Sequence, residues 1–271
     1  MTYSGVFSLL ILLCLNSVCS AHPGIATRLD RIDALIKQHP KSQSLRLNRA
    51  SLYTDHGRLE RAYMDLQQAA LLGEPSEVGF QLGKLHYVSG EYQLALDALE
   101  MYLQHHPNHA QALLYSARAA RDDARLILAN EHFNAYFKVS KMPHPGEYLS
   151  AARLRLTLWP DDVARALNLL DQAMRQLGML PQLQRFATEL EVQRTNFSGA
   201  IARWETLEKV LGRSPDWMLE TARLYKAVGE NDAARQMLAE LRVSLAKIKP
   251  TPANQRLIRE IQQLTSELGS S

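Results

Sequence analysis

Apolar residues along this chain recur three and four positions apart, and no stretch keeps up the alternation of a half-buried strand. The pattern predicts helices throughout. It is plain at the C-terminal end, where Leu257, Ile258, Ile261, Leu264 and Leu268 share one face of a helix expected over 252–268. A second amphipathic helix is expected over 22–40, and between these ends glycine and proline stand at spaced positions, as helix punctuation would. One segment departs from the pattern. Val6 to Leu15 is apolar apart from Ser8. Its length of about ten residues is too short for a bilayer, which needs about 20. It reads as the hydrophobic region of a secretory signal peptide, followed by a polar stretch, with Cys19 and Ala21 placed for cleavage before His22. The segment departs from that pattern in carrying no Lys or Arg.

Between the two end helices the chain repeats itself. Small residues stand at Ala50, Gly83, Ala117, Ala152, Thr188 and Ala222, with steps of 33, 34, 35, 36 and 34. A second series, Ala62, Ala95, Ala129, Ala166, Ala200 and Ala234, steps by 33, 34, 37, 34 and 34. Two independent series with one period predict a pair of antiparallel helices, A and B, in each repeat. Where A crosses B the backbones approach closely and only a small side chain fits. One turn later a large residue fills the space beside the crossing: Leu66, Leu99, Phe133, Leu170, Trp204 and Leu238. Gly57, Gly90 and Gly229 fall between A and B, where a left-handed residue ends a helix at little cost. Pro107, Pro143, Pro181 and Pro215 fall between repeats, where a helix must stop.

The second repeat, with Phe80, Leu82, Gly83, Tyr87, Gly90, Glu91, Tyr92, Ala95, Leu99, Tyr102 and Pro107, resembles the tetratricopeptide repeat (TPR) family, and the sixth, with Ala222, Tyr225, Gly229, Ala234 and Leu238, is nearly as close. The resemblance covers about residues 42–249 and implies an all-α, right-handed superhelical solenoid of about six helix pairs. Two departures stand out. The third repeat has Ala124 where the turn glycine belongs, and the fourth carries extra residues at Trp159-Pro160-Asp161-Asp162. The expected organisation is a signal peptide over 1–21, a capping helix over 22–41, the repeat array over 42–249, and a capping helix with tail over 250–271.

In the resembled family the A helices line the concave side of the superhelix. The ninth A-helix positions here are Ser51, Lys84, Arg118, Arg153, Glu189 and Arg223. The resemblance therefore implies a groove with Lys84, Arg118 and Arg153 on successive repeats, Arg121 one turn beyond, and Phe80, Tyr87, Leu114 and Leu149 beside them. Cations would take carboxylates of a peptide and the apolar residues would take its side chains. The family's two-carboxylate clamp is not reproduced. The partner implied is a protein or peptide of acidic character; the other reading is a module for an anionic polymer such as an acidic polysaccharide. Secreted bacterial arrays of this type often serve envelope assemblies, which would bring the chain to a membrane only through its partners.

Composition narrows the chemistry. Lys and Arg number 31 against 28 Asp and Glu, too even a balance to drive binding to nucleic acid. The only cysteines, Cys14 and Cys19, lie in the leader, so a chain cut before His22 has no disulfide, thiol nucleophile or cysteine metal site. Leu13 and Val18 precede them, where a lipid-modified cysteine follows a small residue. Nine histidines, densest at His105, His106 and His109, lack the spacing of a metal site. No HExxH, G-x-S-x-G, phosphate loop or dinucleotide fingerprint is present. The expectation is an exported, periplasmic or secreted binding scaffold with no enzymatic activity, cofactor or metal.

Overall fold

A computed structural model describes residues 23–247 and 251–269. The signal-peptide expectation over 1–21, and His22, lie outside the described residues. Among the described residues every regular element is helical, and none is long and apolar enough to cross a membrane. The described residues form two compact units, divided between His105 and His106.

The first unit contains α1 (Pro23–Gln38), α2 (Gln43–Asp55), α3 (Leu59–Ala70), a 3-10 turn (Pro75–Val78), α4 (Gly79–Val88) and α5 (Tyr92–His105). Helices α2 and α3 pack as one pair, α4 and α5 as the next. The small residues Ala50, Ala62, Gly83 and Ala95 are all buried at the crossings, with Leu66 and Leu99 beside them. At Gly83 a Cβ would stand 2.4 Å from Leu99 Cγ and 3.1 Å from the Ala95 carbonyl oxygen, so α4 can rest on α5 only because the side chain is absent. Arg49 of α2 ties α1 to the α2–α3 pair. It donates to both Asp65 carboxylate oxygens at 2.6 Å and to Asp33 Oδ1 at 2.6 Å. The Asp65 bonds, set against burial and aided by Asp33, raise its pKa above the ordinary guanidinium value.

The second unit contains the pairs α6 (Ala110–Asp122) with α7 (Leu126–Val139), α8 (Pro145–Leu158) with α9 (Val163–Leu177), α10 (Pro181–Gln193) with α11 (Phe197–Glu205), and, after the one-turn α12 (Glu208–Leu211), α13 (Pro215–Ala227) with α14 (Asn231–Ala246). Helix α15 (Pro252–Gly269) packs on α13 and α14. Here too the crossing residues Ala117, Ala152, Thr188, Ala222, Ala129, Ala166, Ala200 and Ala234 are buried, with Phe133, Leu170, Trp204 and Leu238 next to them. Trp204 and Trp217 are locked reciprocally: each indole N–H donates to the other's carbonyl, at 3.2 and 3.3 Å. Helix α15 buries Ile261, Leu264 and Leu268 in this core, whereas Ile258, expected on the same face, is 43% exposed.

The turns inside five pairs close alike. The second residue after the cap donates to the carbonyl five positions earlier: Arg58 to Tyr53, Glu91 to His86, Arg125 to Ala120, Asn196 to Glu191 and Glu230 to Tyr225, all at 2.8–2.9 Å. This is the Schellman arrangement, which needs a left-handed residue in between. Gly57, Gly90 and Gly229 supply it, with φ of 68°, 78° and 83°. Ala124 (59°) and Thr195 (60°) adopt it without being glycine. The fourth pair turns through Trp159 to Asp162 instead.

Candidate functional site

The structure places the eight expected groove residues differently from one another. In the first unit Lys84 is buried, a correction to its expected place in an open groove. Its Nζ lies 2.6 Å from Asp55 Oδ1 and donates to Ser51 Oγ at 3.1 Å, both on α2. Lys84 points toward the preceding A helix, its stem covered while its head meets that carboxylate. Phe80 is half-buried with its ring 5.7 Å from that of Tyr102, and Tyr87 is half-buried 6.0 Å from Tyr92.

In the second unit Leu114 is a further correction: it is 5% exposed and belongs to the core, not to a groove wall. Arg118 is half-buried and donates to the buried carboxylate of Glu147 on α8. Arg121 pairs with Asp122 at 2.7 Å, and Leu149 is half-buried. Arg153 is exposed and lies over the Phe186 ring on α10 at 5.2 Å. Lys84 and Arg118 are therefore charge pairs between successive A helices. Arg223 acts likewise, reaching Glu260 of α15 at 2.9 Å.

A further concavity lies in the second unit. Helices α10, α13 and α15 surround a cleft of about 930 Å³. Val192, Trp204, Leu219 and Leu257 supply apolar surface, and Arg185, Glu189, Glu220, Arg223, Arg256 and Glu260 stand around it. The charges are not equivalent. Arg223 pairs with Glu220 and Glu260, and Arg256 with Glu260. Burial, outweighed by hydrogen bonds from Arg256, the largest influence, and from Arg223, leaves the Glu260 carboxyl below its ordinary range. Arg185, whose guanidinium lies 5.5 Å over the Trp204 ring, has no ion pair among the described residues, and neither does Glu189. A cleft of this size, apolar at its floor with one open cation and one open carboxylate one helical turn apart, can take side chains and charges of a protein segment.

Sequence reasoning centred the groove on the second to fourth repeats and missed this cleft. Part of the signal was present, because Glu189 and Arg223 occupy the same ninth positions as Lys84 and Arg118. What could not be read was α15 closing the third side. Among the described residues no group of three or more His, Cys, Asp or Glu side chains is placed to hold a metal ion. In the histidine-rich segment His109 caps α6, its Nδ1 accepting from the Ala112 N–H at 3.1 Å.

No family model matches the chain, and no curated protein does. Solved structures share its fold. It superposes on the C-terminal part of a TPR repeat-containing protein from Cytophaga hutchinsonii with a TM-score of 0.61 at 13% identity, covering 86% of this chain and 94% of that one. On yeast Tom70 the TM-score is 0.50 at 16% identity, covering 86% of this chain and 46% of Tom70. The fold is the tetratricopeptide-repeat arrangement of antiparallel helix pairs.

Proposed function

We propose that this chain is a protein-interaction scaffold that holds a segment of a partner in the cleft between α10, α13 and α15. It works outside the cytoplasm, residues 1–21 directing export to the periplasm or beyond, and it does not catalyse a reaction. One observation carries the reading: the cleft combines an apolar floor with Arg185 and Glu189, which have no ion pair among the described residues. The partner segment that suits it has an apolar anchor flanked by a carboxylate for Arg185 and a cation for Glu189. It is thus not simply acidic. A polyanion suits it less, since Lys84, Arg118 and Arg223 each already face a carboxylate.

Peptides selected from a random display library on the purified chain test this, when titrated against charge-reversed variants. A charge-assisted hydrogen bond contributes about 1.5–3 kcal/mol, so Arg185→Glu should weaken the selected peptides about tenfold or more. Lys37→Glu, on exposed α1, should not. Peptides that bind Arg185→Glu and Glu189→Lys as tightly as the parent chain would remove the cleft from consideration. For export, the native protein should begin at or near His22; an intact Met1 on a cytoplasmic species would end that part of the proposal.

A further inference from the structure

The longer turn of the fourth repeat, Trp159 to Asp162, builds a second concavity. Trp159 ends α8 and Asp162 precedes α9, and the space they open against α7 is a pocket of about 280 Å³ lined by Asn130, Asn134, Arg155, Trp159, Arg165 and Asn168. No carboxylate lines it. Its polar atoms are oriented by one constraint. Arg155 only donates, so each amide it touches must turn an oxygen toward it. Its Nε donates to Asn130 Oδ1 at 3.3 Å, its Nη2 to Asn134 Oδ1 at 2.7 Å, and its Nη1 to the Arg165 carbonyl at 3.0 Å. With both amide oxygens engaged, the NH2 groups of Asn130 and Asn134 are left to the pocket, and neither has an acceptor among the described residues.

The charge is as one-sided as the hydrogen bonding. A guanidinium has five N–H groups, and Arg155 uses three of them. It has no ion pair among the described residues. Burial, and then the positive charge of Arg165, draw its pKa below the ordinary guanidinium value, the mark of a cation without a counter-charge. Arg165 has its Nε on Asp162 at 2.6 Å and its guanidinium 4.4 Å over the Trp159 ring, which holds it at the rim with its terminal N–H groups unengaged by any described acceptor. Asn168, exposed on α9, has no partner among the described residues. The pocket therefore presents N–H donors and one uncompensated positive charge.

We infer that this pocket binds a small oxyanion, a carboxylate or a phosphate group, held by Arg155 and the amides of Asn130 and Asn134, with Arg165 and Asn168 at the entrance. Such a ligand is all acceptor and carries the missing charge. The pocket is formed by α7, α8 and α9 and shares no residue with the cleft between α10, α13 and α15, so it stands independently of the proposed function.

The experiment follows the Asn side-chain NH2 and Arg Nε–H resonances of the full chain by nuclear magnetic resonance at constant ionic strength. Inorganic phosphate, glucuronate and neutral glucose are titrated separately. Phosphate, glucuronate or both should shift the signals of Asn130, Asn134 and Arg155 saturably at millimolar concentration, and which of them does so tells a tetrahedral anion from a sugar carboxylate. Asn168→Asp, an exposed change that leaves the packing alone, should weaken binding about tenfold by setting a carboxylate at the entrance. Arg155→Gln should abolish it. The inference fails if neither anion shifts these resonances, if glucose shifts them as glucuronate does, or if Asn168→Asp binds as the parent does.

Discussion

Five turns of one geometry, three with glycine and two without, allow the cost of a left-handed residue to be read in both directions. At Gly57 and Gly90 a Cβ would meet no atom within 4 Å, so replacing either by alanine tests the backbone alone, free of any clash. An L residue in the left-handed region costs about 1–2 kcal/mol. Against this, alanine has less conformational freedom to lose on folding than glycine, by about 0.5–1 kcal/mol. The balance predicts that Gly57→Ala and Gly90→Ala each destabilise by about 0.5–1 kcal/mol. Run backwards, the same reasoning predicts that Ala124→Gly stabilises by about 0.5–1 kcal/mol. Thr195→Gly should gain at least as much, because a β-branched residue tolerates this region worst, less what is lost with its Oγ1 bond to the Arg194 carbonyl at 2.7 Å. Urea midpoints measure the change, with unchanged slopes showing that the compactness of the unfolded state has not altered. Amide exchange places the effect in the right unit, since Gly90 lies in the first and Ala124 in the second. If Ala124→Gly is neutral or destabilising, the turn is not the strained element that its φ of 59° indicates.

Other perturbations follow from the core and the ion pairs. Ala95→Leu should overpack the α4–α5 crossing by about 1–3 kcal/mol and Trp204→Ala should leave a cavity costing about 3–5 kcal/mol, both read from denaturant melts. Arg118→Glu would set two carboxylates against each other at the buried Glu147 and should cost about 1–3 kcal/mol, discounted because Arg118 is partly exposed; the swap Arg118→Glu with Glu147→Arg should recover much of it. Burial alone would raise the Glu191 carboxyl, but hydrogen bonds from Arg194, Asn196 and Arg203 outweigh it and hold the pKa below the ordinary range. A carboxyl depressed in the folded state contributes stability above its unfolded pKa of about 4.3, which is lost as pH falls through the folded value. Melting temperature against pH should therefore fall less steeply below about pH 4 in Glu191→Gln than in the parent chain.

The helix pairs and their register were legible because they rest on volume. A crossing that excludes all but a small side chain leaves the same mark every 33 to 37 residues, and each of the twelve small positions is buried. The turn glycines were legible for the same reason, a backbone demand that few residues meet, and Ala124 shows that the chain keeps the geometry even where the residue departs. Side-chain partners were not legible. Lys84 meets Asp55, 29 positions earlier, and Arg118 meets Glu147, 29 positions later, so cations at one register position reach in opposite directions. Nothing in the spacing of either residue shows which neighbour has a carboxylate within reach. The fourth repeat's extra residues could be seen as a departure, but the pocket they open depends on Asn130 and Asn134 of the preceding B helix.

This difference changes what a row of cations on the A helices means. Ion pairs in which one partner remains partly exposed contribute about 0–1 kcal/mol each, too little for Lys84–Asp55, Arg118–Glu147 or Arg223–Glu260 to hold the helices together against the buried apolar surface at their crossings. What such pairs do is choose among nearby packings, because a sliding A helix would leave a covered carboxylate such as Glu147 without its partner. Each pair also removes one cation from the binding chemistry of that face. Charges not used in ion pairs among the described residues include Arg185 and Glu189 beside the cleft, Arg155 in the pocket behind Trp159, and the exposed Arg153 over the Phe186 ring. For the proposed scaffold, recognition would therefore rest on the remainder after the inter-helix pairs are formed, and a surface charge becomes a candidate contact only when its own neighbours leave it unmatched.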